Sequence, residues 1–143
     1  MVISTKGRYA LRVMIDLAEH RSEGYIPLKN IAARQEISEK YLEAILKALV
    51  KERFIIGLRG KGGGYKLSRE PEQYTVGSII RLTEGELAPV SCLSANAAEC
   101  PRASGCRTIG MWREFGRVIN EFLDSYTIAD LMDSGQPGND YVI

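Results

Sequence analysis

The chain has 143 residues, 45% of them hydrophobic and 26% charged, which suits one well-packed globular domain with an attached element and excludes a disordered chain. No apolar run approaches the ~20 residues of a membrane-spanning helix, and residues 1–8 lack the apolar core of a secretion signal. We therefore expect a cytoplasmic protein with no membrane contact.

Charge is distributed unevenly along the chain, although the formal net charge is only +1. Residues 1–69 contain 14 Lys and Arg against 7 Asp and Glu, whereas residues 70–143 contain 5 against 11. The first half therefore attracts the phosphates of a nucleic acid, and the second half is repelled by them. This asymmetry favours nucleic-acid binding by the first half alone, and an uneven but merely solvated surface is the alternative.

The basic half begins with two predicted helices. Ser4 or Thr5 can cap the first, in which apolar residues recur at steps of three and four. Lys6 and Arg8 then lie at its N-terminal end. Residues 26–34 predict a second, short helix.

The third predicted helix is amphipathic, with Ser38 placed to cap it. Its apolar side comprises Tyr41, Leu42, Ile45, Leu46 and Leu49, and its polar side Glu39, Lys40, Glu43, Ala44 and Lys47. Two helices joined by a turn of three or four residues, the second of them amphipathic, are typical of a helix-turn-helix. Helical hairpins that do not bind DNA share this pattern, so the helices alone leave both interpretations open.

A β-hairpin with a glycine-rich, basic tip is predicted directly after the third helix. Two β-prone runs flank residues 59–64, whose sequence is Arg-Gly-Lys-Gly-Gly-Gly. The glycines let the backbone approach phosphates, and a narrow minor groove attracts cations such as Arg59 and Lys61. A nucleotide-binding loop is a poorer interpretation, because Lys61 is followed by Gly62 and a strand instead of by Ser or Thr and a helix.

The acidic half begins with a predicted helix that Thr75 caps and that ends near Gly85. The loop after it carries all three cysteines of the chain, Cys92, Cys100 and Cys106. Disulfides are not expected in a cytoplasmic protein, so metal ligation or thiol chemistry is the leading interpretation. A structural zinc site is disfavoured because the loop has no Cys-x-x-Cys pair, and a thiol redox switch is a further alternative.

A long amphipathic helix is predicted after the cysteines. Large apolar residues recur at steps of three and four over residues 109–126, and such a stripe needs a partner surface. We expect a symmetric homodimer rather than packing on the same chain. Its predicted interface residues are Ile109, Trp112, Ile119 and Leu123. Thr127 and Asp130 predict the cap of a last, short helix.

The combined pattern resembles the Rrf2 family of winged helix-turn-helix regulators. The resemblance rests on residues 4–11, on Ile31-Ala32 and Ile37-Ser38, on Tyr41-Leu42-Glu43 and above all on residues 58–65, and it extends to about Asp133. It implies a mainly α fold with a small β-hairpin, in which the second helix of the motif enters the major groove of double-stranded DNA and the wing lies at the minor groove. It also implies that the long C-terminal helix forms a homodimer.

By position in this family, Glu43 would contact bases and Arg59 would lie at the minor groove. A carboxylate can accept a hydrogen bond from the amino group of cytosine, and a solvated Glu43 paired with Lys40 or Lys47 is the alternative. The predicted DNA-binding residues are Lys6, Arg8, Ser38, Lys40, Tyr41, Glu43, Lys47, Arg59, Gly60, Lys61 and Gly62.

The predicted organisation has four parts. They are a winged helix-turn-helix domain at 1–84, a cysteine-bearing loop at 85–106, a dimerisation helix with a short last helix at 107–133, and a mobile tail at 134–143. No catalytic residue is predicted, since one histidine and no recognisable carboxylate pair leave little for acid-base catalysis.

Members of this family that bind iron-sulfur clusters carry three cysteines in the corresponding loop. The resemblance therefore implies that Cys92, Cys100 and Cys106 hold an iron-sulfur cluster, 2Fe-2S before 4Fe-4S. The fourth ligand is unknown, because the histidine of the family's pattern falls at Ile109 and the acidic ligand of other members falls at Arg8. The only histidine, His20, lies near the far end of the first helix, where a surface residue is expected more often than a ligand, which leaves Glu99 or another carboxylate, from this chain or from the partner subunit. The alternative is a regulator of cysteine or sulfur metabolism, controlled by a metabolic-enzyme partner or by thiol oxidation without a cluster.

Overall fold

Six helices and one two-stranded sheet make up residues 3–133, the part of the chain that the computed structural model describes. The elements in chain order are α1 (Thr5–Glu19), α2 (Leu28–Gln35), α3 (Glu39–Lys51), β1 (Ile55–Leu58), β2 (Gly64–Leu67), α4 (Val76–Glu84), α5 (Ile109–Asp124) and α6 (Ile128–Asp133). This arrangement confirms the predicted fold class. In this part of the chain no helix has both the length and the apolar character that crossing a bilayer requires. The predicted mobile tail lies outside the described residues.

Helix α1 supplies one complete face to the hydrophobic core. The side chains on this face are at most 1% exposed and belong to Ala10, Val13, Met14, Leu17 and Ala18. The helix is capped by Ser4, one of the two predicted caps, whose Oγ accepts from the backbone N–H of Gly7 at 3.4 Å. Helices α2, α3, α4 and α6 pack around α1. Burial of its large side chains, worth about 1.5–3 kcal/mol each, therefore holds α2 and α3 in place.

Helix α2 begins at Leu28, slightly later than the sequence predicts. Pro27 disfavours helical backbone at the residue before it. Ile26 is therefore extended, and it exchanges two backbone hydrogen bonds of 2.8 Å with Tyr65 of β2. This bridge joins the loop before α2 to the hairpin.

The turn between α2 and α3 has the sharp geometry of a helix-turn-helix. Helix α2 is followed by Glu36, its C-cap, which adopts a left-handed conformation with φ 54°. Ser38 then caps α3, as predicted, by accepting from the backbone N–H of Tyr41 at 3.2 Å. The buried side of α3 consists of Leu42, Ile45, Leu46 and Leu49.

The predicted wing is an antiparallel hairpin. Its register runs from Ile55 opposite Leu67 to Leu58 opposite Gly64. Ile55 is 2% exposed and anchors the hairpin in the core, whereas the rest of β1 is exposed. The wing therefore extends outward from the core just after the C-terminal end of α3.

Helices α4 and α6 complete the unit built around α1. We call α1 to α4, the wing and α6 together the head. Helix α4 begins after Thr75, as predicted, with the backbone N–H of Ser78 donating to Thr75 Oγ1 at 3.0 Å. A reciprocal cap precedes α6, in which Thr127 N donates to Asp130 Oδ2 at 2.9 Å and Asp130 N donates to Thr127 Oγ1 at 3.1 Å. The sequence groups α6 with the dimerisation helix, but α6 packs against α1, and Ile128 is fully buried in the same core.

Helix α5 lies beside α4 without burying any residue completely. Arg81 of α4 donates to Asn120 Oδ1 at 3.1 Å and to Asp124 Oδ1 at 2.6 Å. Leu123 packs against the small apolar cluster around Val76. Polar and apolar contacts together fix one side of α5 to the head.

Candidate nucleic-acid interface and cysteine loop

The polar side of α3 faces away from the core. Glu39, Lys40, Glu43, Ala44 and Lys47 are all exposed, as the sequence predicts, and Tyr41 lies at the edge with 37% exposure. None of the ion pairs within residues 3–133 joins Glu43 to Lys40 or Lys47. The carboxylate of Glu43 is therefore free to approach a base edge.

Tyr9 makes an aromatic contact at the start of α3 that the sequence analysis missed. Its ring meets the ring of Tyr41 edge to face, with centroids 5.7 Å apart. The guanidinium of Arg12 lies 4.9 Å from the centroid of Tyr9, and its Nε donates to Gln35 Oε1 at 3.1 Å. Tyr9 and Arg12 are three residues apart on one helix, and this spacing could have predicted the contact between Arg12 and the Tyr9 ring.

The N-terminal end of α1 carries two of the predicted DNA contacts. Lys6 is half-buried, and Arg8 is exposed, with its Nη2 donating to Thr5 Oγ1 at 3.1 Å. The same end is tied to α4, because Glu84 Oε1 accepts from the backbone N–H of Ser4 at 3.0 Å and from the Ser4 hydroxyl. Helix α4 ends at Glu84. One side chain thus joins the start of the cysteine loop to the helix that carries Lys6 and Arg8.

The tip of the wing is exposed and rich in glycine. Its predicted DNA-binding residues Arg59, Gly60, Lys61 and Gly62 are all exposed. Gly60 and Gly62 have φ values of 92° and 77°, a backbone region that other residues adopt only at a cost. A Cβ at Gly64 would lie 2.2 Å from the carbonyl oxygen of Ile26. Glycine at this position lets the wing pair with the loop before α2.

Tyr74 closes the wing at its base. Its side chain is fully buried, and its hydroxyl donates to the carbonyl of Phe54 at 2.6 Å. The same hydroxyl accepts from the backbone N–H groups of Ser68 at 3.1 Å and Arg69 at 3.0 Å. Phe54 precedes β1, and Ser68 and Arg69 follow β2. This role is not apparent from the sequence, because a single tyrosine in a loop carries no periodic signal.

The three cysteines lie on the loop between α4 and α5. All are free thiols, of which Cys92 is exposed and Cys100 and Cys106 are half-buried. None of residues 88–108, all of them described, is buried, and the regular structure here consists of the short turns Ser91–Leu93 and Ala103–Gly105. The loop is therefore held by few contacts and can change shape at low cost.

The donor chemistry of this loop fits an iron-sulfur cluster, but the positions of the donors do not form a site. Thiolates are the usual ligands of such clusters. Across residues 3–133, no three His, Cys, Asp or Glu side chains are grouped so that they could hold a metal ion. Of the candidate fourth ligands, His20 contacts the carbonyl of Asp16 at 2.8 Å at the far end of α1, and Glu99 is exposed.

Cys106 is the thiol whose acid-base chemistry is perturbed by a neighbour. Its Sγ lies 3.5 Å from Thr108 Oγ1. The hydrogen bond from Thr108 lowers the pKa of the Cys106 thiol, and the nearby positive charge of Arg113 acts in the same direction. The thiolate is the form that binds metals and reacts with oxidants.

Helix α5 exposes an apolar stripe on the side away from α4. The stripe consists of Met111, Phe115, Val118 and Phe122, which are 46–58% exposed. At 3.6 residues per turn, these four side chains follow one line along the helix. The predicted interface residues Ile109, Trp112, Ile119 and Leu123 are half-buried instead. The most exposed apolar side chains of α5 are thus neighbours of the predicted ones.

The helix-turn-helix, the basic wing and their exposed side chains define a winged helix-turn-helix protein of the DNA-binding class. Residues 3–134 match the model of the Rrf2 family, which is described as an iron-dependent transcriptional regulator. The chain belongs to the Rrf2 family of transcriptional regulators, and the resemblance found in the sequence is confirmed. Members of this family are regulators rather than enzymes, and this holds for the present chain.

Characterised relatives cover most of the chain. The protein rrf2 of Nitratidesulfovibrio vulgaris is 39% identical over 132 residues, which are 92% of this chain and 87% of that protein. The HTH-type transcriptional regulator IscR of Sodalis glossinidius is 36% identical over 134 residues, 94% of this chain and 80% of that protein. The solved structure of CymR, the global cysteine regulator of B. subtilis, has a TM-score of 0.76 at 37% identity and covers 95% of this chain and 99% of that chain.

Proposed function

We propose that this chain is a dimeric, sequence-specific transcription regulator that reads duplex DNA with α3 and the wing. The observation that carries the proposal is the joint exposure of Glu43 and Lys47 on α3 and of Arg59 and Lys61 on the wing, all within the basic half. Glu43 would accept from a cytosine amino group in the major groove, and Arg59 would enter the minor groove. The protein would act in the cytoplasm, together with the DNA.

The other predicted contacts would set the position of the protein on the duplex. Phosphate contacts fix register and supply affinity, and they carry little sequence information. The residues proposed for this role are Lys6, Arg8, Ser38, Lys40, Tyr41, Lys47, Gly60, Lys61 and Gly62.

Selection of binding sites from a randomised duplex pool, followed by affinity measurements over a range of salt concentrations, tests this proposal. We expect Lys61→Ala to reduce the slope of log Kd against log salt by about 1, and Glu43→Ala to relax the choice at one base pair by about 1–3 kcal/mol. Arg117→Ala removes one positive charge from the acidic half and serves as the matched control. A pool that yields no enriched sequence, or an equal loss in Arg117→Ala, would contradict the proposal.

We propose that the dimer forms through the exposed stripe of α5, with Trp112 and Ile119 at its border. A contiguous apolar surface of this kind on a small protein marks an interaction site. A second copy of the chain is the occupant that fits a winged helix-turn-helix, because two heads related by twofold symmetry match two half-sites of an operator.

We also propose that the cysteine loop is the sensing segment and responds to iron-sulfur or redox status. Three free thiols on a segment, residues 88–108, that has no buried residue support this, as do the description of the family as iron-dependent and the IscR relative. Cys92, Cys100 and Cys106 would hold the cluster, 2Fe-2S by preference, which when bound supplies a centre sensitive to oxygen and iron. The loop joins α4 of the head to α5, so a change in its shape would alter the angle between the two heads, and DNA would reciprocally change the state of the loop.

A second candidate is a regulator of cysteine metabolism that works without a cluster. The similarity to the global cysteine regulator CymR favours it. The lowered pKa of Cys106 favours it as well, because a thiolate is the form that oxidants attack. Control would come from thiol oxidation or from a metabolic enzyme bound as a partner.

Anaerobic purification with assays for iron and acid-labile sulfide separates the two candidates. A cluster predicts bound iron, bound sulfide and a visible absorption band. All three should be lost when Cys92, Cys100 and Cys106 are changed to Ala. Metal-free protein whose DNA affinity changes after peroxide treatment, or that co-purifies with a metabolic enzyme, supports the second candidate. A metal-free, partner-free dimer that binds DNA identically with and without its cysteines would remove the sensing proposal.

A further inference from the structure

A cavity of 430 Å³ opens between α4, the first residues of the cysteine loop and α5. Its volume falls within the roughly 300–1,000 Å³ typical of small-molecule sites. None of the proposed DNA contacts, cysteine ligands or stripe residues lines it. We call it the α4-α5 cavity.

Arg113 gives this cavity a positive charge that no carboxylate pairs with. Among the described residues, its guanidinium takes part in no ion pair and no side-chain hydrogen bond, although it lines the cavity. The second lining guanidinium, of Arg81, is held by Asn120 and Asp124. The amide of Asn120 is itself occupied, because its Nδ2 donates to the carbonyl of Leu87 at 3.2 Å and to that of Gly116 at 2.8 Å.

The guanidinium of Arg113, which no carboxylate pairs with, favours a ligand with one negative charge. Glu86 is the carboxylate of the lining, and both its oxygens lie within 3.0 Å of the backbone N–H of Ala95. Asp124 already balances Arg81 through a 2.6 Å ion pair, so Arg113 is the guanidinium of this lining that has no carboxylate within 4.0 Å among residues 3–133. A ligand with a single carboxylate would neutralise it through the planar, bidentate pairing that arginine favours.

The rest of the wall is apolar, so the ligand should carry a hydrocarbon body. Pro89 and Leu93 line the cavity from the loop, and Gly116 lines it from α5. A Cβ at Gly116 would lie 3.1 Å from Pro89 Cδ, so glycine lets the loop pack directly on the helix backbone. A lone inorganic anion would leave this apolar wall uncovered.

We propose that the α4-α5 cavity binds a small organic monocarboxylate, with its carboxylate on Arg113 and its hydrocarbon part on Pro89 and Leu93. Helical geometry places Arg113, Gly116 and Asn120 on the side of α5 opposite the exposed stripe. A dimer formed through the stripe therefore leaves the cavity open. Leu93 directly follows Cys92, so a bound ligand would also hold the cysteine loop in one position.

Titration of the full chain with butyrate, followed by the amide NMR signals of Gly116 and its neighbours, tests the proposal without DNA or iron. A failure here is therefore separate from a failure of the proposed regulator function. We expect saturable shifts confined to the cavity. Affinity should rise by about fourfold for each methylene from acetate to butyrate, because each one buries apolar surface.

Arg113→Gln is the decisive variant, and we expect it to weaken butyrate binding at least tenfold. Arg113 is exposed, so the variant should fold, and unchanged amide signals outside the cavity confirm that it does. Arg117→Gln makes the same change in charge one turn along α5, outside the cavity, and should bind as the natural chain does. The proposal is overturned by non-saturable shifts, by equal weakening in both variants, or by binding of butanamide or inorganic phosphate as tight as that of butyrate.

Discussion

Arg34 and Asp16 form a bidentate ion pair where α2 meets α1, with Nε to Oδ2 at 2.9 Å and Nη2 to Oδ1 at 2.7 Å. The side chain of Asp16 is 1% exposed, whereas that of Arg34 is 32% exposed. Gln35 Nε2 also donates to Asp16 Oδ2 at 2.9 Å. A buried carboxylate of the core helix is thus satisfied by the first helix of the DNA-binding motif.

The unequal exposure of the pair predicts unequal costs of mutation. Arg34→Ala leaves the buried Asp16 carboxylate without the guanidinium, and we expect the free energy of unfolding to fall by about 3 kcal/mol. Asp16→Ala leaves a guanidinium that water still reaches, and we expect a loss of about 1–2 kcal/mol. Urea unfolding midpoints at constant m-value measure both, with the exposed Lys29→Ala on α2 as the control. The reverse order of the two losses would contradict this account.

Tyr74→Phe removes the hydroxyl that closes the wing. Three backbone groups at the wing base then lose a partner, and we expect a loss of about 1–3 kcal/mol in the free energy of unfolding. Hydrogen exchange should accelerate at Ser68 and Arg69 more than in α1. The control is Tyr25→Phe, since the Tyr25 hydroxyl forms no hydrogen bond within residues 3–133 and its ring, which Lys66 Nζ approaches at 4.7 Å, is kept. Unchanged exchange at the wing base would show that the hydroxyl is dispensable there.

Phe115→Glu places a charge in the middle of the exposed α5 stripe. If the stripe is the dimer interface, this variant should sediment as a monomer with the helical content of the natural chain, because burying an unpaired carboxylate is unfavourable. Glu121→Lys, on the polar side of the same helix, should remain dimeric. Dissociation by Leu123→Ala but not by Phe115→Glu would instead place the interface on the half-buried side.

Thr108→Val removes the side-chain hydrogen bond that favours the Cys106 thiolate. Because that hydrogen bond lowers the pKa of Cys106, its loss raises the pKa, and the midpoint of the alkylation rate against pH should move upward. Iodoacetamide labelling of the metal-free protein, followed by peptide mass analysis, resolves Cys106 from Cys92. The Cys92 profile serves as the internal control and should not move. A shift of both profiles, or of neither, would rule out a specific role for Thr108.

Periodic burial explains why most of the fold is readable from the sequence. The helices α1, α3 and α4 follow from apolar spacing together with the caps Ser4, Ser38 and Thr75, and all three caps are observed. These are local signals, since each cap bonds a backbone N–H three residues along the chain. The exposed polar side of α3 follows from the same periodicity.

The contacts that the sequence does not reveal join residues far apart in the chain. The Tyr74 hydroxyl reaches Phe54, and Glu84 reaches Ser4, although neither residue type nor spacing marks these pairs. The sequence also does not reveal which side of α5 packs against α4, because apolar residues occupy a wide arc of that helix. Arg81 and Asp124 select the side that faces α4 by a 2.6 Å ion pair, and this leaves Phe122 rather than Leu123 exposed.

The hydrogen bonds from Ser4 to Glu84 link the start of α1 directly to the end of α4. Glu84, the last residue of α4 before the cysteine loop, accepts hydrogen bonds from the backbone N–H and the hydroxyl of Ser4, the residue that caps α1. A displacement of that residue by little more than the length of one hydrogen bond would leave the first turn of α1 to unravel. Lys6 and Arg8 on that turn would then lose their fixed geometry, so the proposed sensing loop would act on the proposed DNA contacts within one chain, independently of the proposed dimer.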